Sequence, residues 1–352
     1  METEVIIIEE SDMDEEALEG LKRAGQIIRD GGLVAFPTET VYGLGGDALN
    51  PLSSKKIYAA KGRPSDNPLI VHVANMEDLA DIVKEVPEAA RKLADAFWPG
   101  PLTMIMNKND KVPYETTGGL DTVAIRMPNN KIALELIRQS GGYIAAPSAN
   151  TSGRPSPTVA RYCEEDLSGK IEMIIDGGQV GIGLESTIVD LTSEVPMILR
   201  PGYITAKMLE EVLGQISIDR TIIDSSSTAK PKAPGMKYKH YAPKGDLMIV
   251  QGAQDKVVAY INDASQSAMA DGKRVGIIAT DATRALYRAD VVKSVGNRED
   301  ESTIAHELFK VLREFDDEKI DVMFSESFDD SGIGQAIMNR LLKAAGHNIK
   351  SV

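Results

Sequence analysis

Residues 225–245 divide this chain into two different hydrophobic patterns. The segment opens with Ser225-Ser226-Ser227-Thr228 and holds Pro231, Pro234, Gly235, Pro243 and Gly245. It carries five lysines and no carboxylate between Ala229 and Gly245. Proline and glycine at that density suit neither a helix interior nor a central strand, so one domain should end before the segment and another begin after it. Length agrees, since 352 residues at roughly 100–200 per domain give two. The expected boundaries are 1–224, a linker at 225–245, and 246–352.

After the linker, strand and helix patterns alternate. Strands are expected at Leu247–Val250, Val275–Ala279, Val291–Val295 and Ile320–Phe324. Helices are expected at Gln254–Met269, Asp281–Tyr287, Thr303–Phe315 and Gly334–Ala345. Such alternation marks a small parallel-sheet, Rossmann-like α/β domain. Before the linker strands dominate: Val5–Ile8, Leu33–Phe36, Leu69–Val73, Leu102–Met106, Thr122–Met127, Tyr143–Ala146, Met173–Ile175, Thr187–Leu191 and Met197–Leu199. Helices fall between them. One is capped by Asp12 and runs to Asp30, and another opens at Asn50-Pro51 and stops at Lys61-Gly62. Others are Met76–Val83, Pro87–Phe97, Lys131–Gln139, Thr158–Asp166 and Thr205–Leu213. Pro37–Asn50 reads as a glycine-rich loop. The irregular spacing predicts an open, twisted, mixed sheet with helices against it.

Composition removes several classes. A single cysteine, Cys163, can form neither an internal disulfide nor a thiolate metal cluster, which fits a reducing, cytoplasmic setting. Its neighbours Glu164, Glu165 and Asp166 raise a thiol pKa and argue against a nucleophile. No apolar run approaches the roughly 20 residues that span a bilayer, and the acidic start METEVIIIEESDMDEE is no secretory signal. A net charge of −14 opposes broad contact with a phosphate backbone but leaves room for a small basic pocket. His72, His240, His306 and His347 lack metal-ligand spacing, and there is neither a P-loop nor a G-x-S-x-G elbow.

Four polar clusters lie at the ends of expected strands, where α/β sheets place ligands. Thr38-Glu39-Thr40 precedes Gly43-Leu44-Gly45; alone, it fits a turn with capping threonines equally well. Lys61-Gly62-Arg63-Pro64-Ser65 can converge on phosphate oxygens, or simply end a helix with favourable charge. Arg126 ends an apolar strand and can clamp a carboxylate or form a structural ion pair. Ser148-Ala149-Asn150 begins a hydroxyl-rich run that continues through Ser156 and Thr158 and fits a phosphate or ribose site, or a helix cap. Ser186 and Arg200 flank later strands. Together these offer cations and hydroxyls without a nucleophile. That set suits binding a polyanion and stabilising charge at phosphorus.

PTETVYGL, KGRP, SAN-x-SG-x-x-SPT, ESTIVD, LRPG and PGMKYKHYAP occur in this order. Over nearly the whole chain they resemble the threonylcarbamoyl-AMP synthases, in the long form with a YrdC-like catalytic domain and a C-terminal accessory domain. The resemblance implies an open α/β sheet with a large concave cavity. It implies a nucleotidyltransferase that joins L-threonine, bicarbonate and ATP into L-threonylcarbamoyladenylate and pyrophosphate, for later transfer to tRNA by other proteins. By motif, Lys61, Ser65, Thr122, Ser148, Asn150, Ser156, Arg200 and Tyr241 resemble ATP-site positions, with Arg63 beside them. Thr38, His72, Arg126, Ala146 (through its backbone) and Ser186 resemble the threonine site. Lys61 and Arg63 would act on the phosphates, with magnesium carried by ATP rather than by protein side chains alone and no organic cofactor. The linker, with Tyr238, His240 and Tyr241, would fold over the site when substrates bind.

Two rivals remain. YrdC-like domains present a concave basic surface, so an RNA-binding module is one; the acidic balance makes direct RNA contact weak or absent. The other is a hydrogenase-maturation factor, which should carry acylphosphatase and zinc-finger segments; no C-x-x-C pair is present.

Overall fold

The computed structural model describes residues 2–219 and 240–352, so most of the expected linker, with Tyr238, lies outside the described residues. It forms two compact units. One holds residues 2–152, 156–181 and 185–219; the other holds 153–155, 182–184 and 240–352.

The first unit runs β1 (Glu4–Ile7), α1 (Glu15–Arg29), β2 (Val34–Phe36), β3 (Gly43–Asp47), α2 (Pro51–Lys61), β4 (Ile70–His72), a 3-10 turn (Glu77–Asp81), α3 (Glu88–Phe97), β5 (Leu102–Asn107) and β6 (Thr122–Arg126). It continues through α4 (Lys131–Gln139), β7 (Ile144–Ala146), α5 (Ala160–Leu167), β8 (Met173–Asp176), β9 (Thr187–Asp190), β10 (Met197–Arg200), α6 (Ala206–Leu213) and β11 (Ser217–Ile218). The eleven strands form one mixed sheet in the order β1-β8-β2-β3-β7-β4-β6-β5-β9-β10-β11.

Local chemistry sets most boundaries. Asn50 accepts from the Leu52 N–H, Pro51 opens α2, and Gly62 ends it at φ 60° in the left-handed region. Thr205 caps α6 in the same way, through the Met208 N–H. The cap of α1 is Asp14, which accepts from the Ala17 N–H, and not the expected Asp12. Neither Ser156 nor Thr158 caps α5, which begins after Val159 with no side-chain cap. Ser156 is instead bonded to Glu185. The segment Met76–Val83 forms only the 3-10 turn.

The larger correction is β3. The glycine-rich run is a buried strand, antiparallel to both β2 and β7. Its glycines are there because neighbours leave no room for a side chain. A Cβ on Gly45 would lie 2.8 Å from Ile144 Cγ2 and 2.9 Å from Phe36 Cε1.

Strand alternation separates the two faces of the sheet. On one face Ala35, Leu44, Val71, Met104, Val123, Ile125 and Val189 pack with Ile57 of α2, Leu93 of α3, Cys163 of α5 and Leu209 of α6. On the other, α1 and α4 cover only the side carrying Val34, Phe36, Ile144, Ala146 and Met173. The rest of that face has a small apolar cluster of Ile70, Ile105, Ala124, Ile188 and Leu199. Polar side chains border this cluster, among them Thr103 next to Ile105 on the face of β5, and Thr122 and Arg126 on either side of Ala124 on β6.

The second unit is a five-stranded, all-parallel sheet: β12 (Asp246–Gln251), β13 (Val275–Ala279), β14 (Val291–Ser294), β15 (Val322–Glu326) and β16 (Ile349–Ser351), in the order β14-β13-β15-β12-β16. Its helices are α7 (Gln254–Ala270), α8 (Glu301–Asp317) and α9 (Gly332–Ala344). The helix expected at Asp281–Tyr287 is only a 3-10 turn at Arg284–Leu286. Thr283 accepts from the Thr280 N–H and so holds a turn in place of a helix. The sequence pattern misses β16 because its one apolar residue, Ile349, leaves no alternation to read, and all three of its residues are exposed. Among the described residues no helix is long and apolar enough to cross a membrane.

If the packing around β3 is as tight as these distances indicate, Gly45→Val should destabilise the protein by about 1–3 kcal/mol through overpacking. A lowered urea midpoint at unchanged slope is the measurement.

Candidate active site

Arg126 is the last residue of β6. Alternation turns it, with Thr122, onto the face that α1 and α4 cover only in part. It is 4 % exposed. Its Nε donates to Gly100 O at 3.3 Å and its Nη1 to Thr40 Oγ1 at 2.9 Å. Its Nη2 lies 2.7 Å from Glu39 Oε2 in an ion pair. The turn that delivers Glu39 and Thr40 is built by Thr38. The Thr38 hydroxyl donates to Val41 O at 2.7 Å and accepts from the Thr40 and Val41 N–H groups.

The polar row continues along the sheet. Thr103 of β5 stands opposite Arg126, and its hydroxyl lies 2.7 Å from that of Ser186. Arg200 donates from Nε to Ser186 O at 3.0 Å and from Nη2 to Ser186 Oγ at 3.2 Å. The pairing of β10 with β9 slips between Ile198 and Arg200, and this irregularity re-aims Arg200. Next to Ser186, Glu185 accepts from Ser156 Oγ at 2.6 Å. Thr38, Arg126, Ser186, Arg200 and Ser156 are therefore brought together. The connecting residues Glu39, Thr40, Thr103 and Glu185 were not among the expected site residues. Glu39 and Glu185 sit inside quoted motifs, so that signal was present. Thr103 is one polar residue in an apolar strand and gave none.

His72 is in register with Arg126. Burial, and then the neighbouring guanidinium, push its pKa down to about 3, so the ring is neutral at pH 7. Its Nδ1 lies 3.2 Å from Ile70 O, and the backbone of Ile144 is a second hydrogen-bond neighbour of the ring.

A second cluster forms around Lys61, the last residue of α2. Its ammonium donates to Ser148 O and Asn150 O, and Asn150 Oδ1 lies at 3.5 Å. Neutral oxygens of this kind orient a cation without cancelling its charge. Ser148 bridges to Gly43 at the start of β3 and donates to Asn150 Oδ1. Ala146 ends β7 opposite Ile70 and leads into this loop. Arg63 turns back on its own loop, donating to Asn67 O and Pro68 O at 3.3 and 3.1 Å. Ser65 on that loop is exposed. Thr122 begins β6, so four residues place it about 13 Å from Arg126. The β4–β6 register brings it toward Pro68. It therefore groups with the Arg63–Pro68 loop and not with Arg126. Tyr241 belongs to the second unit, where it stacks on Phe309 at 5.0 Å between ring centroids.

The depressed His72 pKa carries a prediction. Below the ordinary value of 6.5 the unfolded chain binds a proton that the folded chain refuses until about 3. Stability from this group is thus present above 6.5 and lost as pH falls, by up to about 1.4 kcal/mol per pH unit. His72→Gln should flatten that acid limb in unfolding free energies measured across it.

Comparison with known proteins identifies the family. The sequence model of the family described as Telomere recombination, which groups Sua5, YciO and YrdC proteins, matches residues 26–202. That of the threonylcarbamoyl-AMP synthase C-terminal domain matches residues 204–346. The chain is 49% identical to the threonylcarbamoyl-AMP synthase of Bacillus subtilis over 94% of each chain. It is also 49% identical to that of Pyrococcus abyssi, over 94% of this chain and 96% of the other. The crystal structure of P. abyssi Sua5 complexed with L-threonine superposes with a TM-score of 0.93 at 47% identity, covering 99% of this chain and 100% of that one. Matches of this length and identity across both domains establish that the chain belongs to the threonylcarbamoyl-AMP synthase family.

Proposed function

We propose that the first unit binds L-threonine at the Arg126 row and ATP at the Lys61 cluster. With bicarbonate it makes L-threonylcarbamoyladenylate and pyrophosphate, the first step toward N6-threonylcarbamoyladenosine in tRNA. The observation that carries the reading is a buried guanidinium, Arg126, set in a row of hydroxyls and a second guanidinium, together with a second cluster in which carbonyls hold a buried ammonium.

In this reading the amine of threonine takes up bicarbonate to give a carbamate, whose oxygen attacks the α-phosphorus. Carbamate and triphosphate are both anions, so the site must offset their repulsion while holding them in line. Arg126 takes the threonine carboxylate, and Thr38 and Ser186 flank it. Neutral His72 packs there without adding charge. Lys61 meets the phosphates; Arg63, whose guanidinium bonds its own loop at Asn67 O and Pro68 O, would have to turn to join it, and Ser65, Thr122, Ser148, Asn150, Ser156 and Arg200 supply donors along the nucleotide. Burial strengthens the contacts of Lys61, Arg126 and Arg200, because with little water between them charges are less screened.

Magnesium would enter with ATP. Asn150 Oδ1 and the Ser148 hydroxyl are hard oxygen donors of the type that suits it, and the ion would lower the charge on the phosphates. Function in the cytoplasm, with the product passed to other tRNA-modifying proteins and little direct RNA contact, fits a net charge of −14.

The test is pyrophosphate release from purified protein. Release should require threonine, bicarbonate and ATP together; release without threonine or without bicarbonate would overturn the reading. Lys61→Ala should lower turnover by roughly 100-fold or more. Arg126→Ala should raise the KM for threonine by at least about 30-fold while leaving ATP affinity, measured by calorimetry, within about threefold. Equal loss of both would reassign Arg126.

A further inference from the structure

We propose that Glu39 binds the ammonium group of the substrate amino acid and takes its proton, so that a neutral amine meets bicarbonate. The proposal rests on the threonine site assigned above and supplies the base which that reaction lacks.

Three observations lead to it. First, the Glu39 carboxylate is shielded: its side chain is 12% exposed and both its oxygens are buried. Second, neither oxygen has a hydrogen-bond partner. The approach to Arg126 Nη2 at 2.7 Å is an ion pair without hydrogen-bond alignment, and that nitrogen too lacks a partner. Buried carboxylate oxygens normally accept hydrogen bonds, so a pair that accepts none is waiting for a donor from outside the chain. Third, anion and cation stand side by side. An α-amino acid presents a carboxylate and an ammonium on one carbon. Arg126 fits the first and Glu39 the second, and the pair Glu39–Arg126 is the complement of that zwitterion.

The charged and titratable groups facing Glu39 are few. Arg126 comes from β6, and His72 of β4, in register with it, is neutral. Thr40 and Thr38 on the same turn carry only hydroxyls, both already engaged. Of the two carboxylates in this row, Glu185 already accepts from Ser156 Oγ, and Glu39 is the one whose two oxygens accept no hydrogen bond.

The step balances. The ammonium R–NH3+ gives a proton to the Glu39 carboxylate, leaving R–NH2 and a neutral carboxylic acid. The amine lone pair then attacks the carbon of bicarbonate, forming the N–C bond. Water leaves, and R–NH–COO− remains. Glu39 returns its proton to solvent before the next turnover.

The experiment is pyrophosphate release at saturating threonine, bicarbonate and ATP, comparing wild type with Glu39→Gln at about pH 7 and about pH 9.5. At the lower pH the variant should turn over some 100- to 1000-fold more slowly, the scale of a lost proton acceptor. At the higher pH threonine arrives with its amine already neutral, so the deficit should shrink at least about tenfold. Glu39→Asp keeps a base that is set back by one methylene. It should be slower than wild type with the wild-type pH profile, and it serves if the Gln variant does not fold. No deficit at the lower pH, or an equal deficit at both, would overturn the proposal and leave Glu39 as a support for Arg126. An Asp variant with a flat deficit against a Gln variant of full activity would do the same. Failure of the assigned reaction itself is separate, because it would show in the wild-type protein as release that does not need threonine or bicarbonate.

Discussion

A guanidinium buried at the end of a central strand costs several kcal/mol unless its surroundings supply charge and acceptors. Arg126 is in that position, and much of the first unit follows from satisfying it. Gly100 O and the Thr40 hydroxyl take two of its nitrogens, and Glu39 sets a charge beside the third. For Glu39 and Thr40 to reach it, the chain after β2 must turn back at once, which the Thr38 hydroxyl accomplishes by bonding three backbone groups. The returning strand must then lie flat between β2 and β7 against Phe36 and Ile144, and only glycine fits there. The motif Pro37–Gly46 is thus a single device: a turn that carries acceptors to a buried cation, followed by a strand whose glycines leave room for Phe36 and Ile144 while Leu44 packs into the core on the opposite face.

The division of the sheet faces explains why the polar row lies where it does. Four helices close one face with a continuous apolar core. On the other, α1 and α4 cover one side only, and the remaining strands bear Thr103, Thr122, Arg126 and, by way of a local slip in register, Arg200. Lys61 reaches the adjoining loop because α2 ends at it, with a left-handed glycine immediately after. Backbone oxygens hold Lys61, and a backbone oxygen, a hydroxyl and the Glu39 carboxylate hold Arg126, in surroundings with little water. A bound anion therefore meets charge already in place and needs little rearrangement of the site.

Much of this was legible in the residues. Asn50-Pro51 and Gly62 mark α2 at both ends, and the apolar runs of β5, β6 and β8 lie within a residue or so of their observed positions. Three of the misreadings share a cause: each depends on a partner distant in sequence. Gly43–Asp47 resembles a loop until Phe36 and Ile144 stand against it. Ser156 resembles a cap until Glu185 takes its hydroxyl. Ile349–Ser351 has no pattern of its own and becomes a strand by pairing with β12.

By itself the sequence determined the α/β class, the change of pattern at the linker, and the inventory of chemistry: Lys61, Arg63, Arg126 and Arg200 as cations, many hydroxyls and no nucleophile. Those are local properties, written in periodicity, capping residues and composition. Tertiary structure alone decided which of these groups meet. It put Thr103 between Arg126 and Ser186, sent Thr122 toward Pro68, and left the oxygens of Glu39 buried beside a cation with nothing to accept. Proximity across a sheet depends on strand order and register. These are set by how whole faces bury against helices, which no single stretch of residues contains.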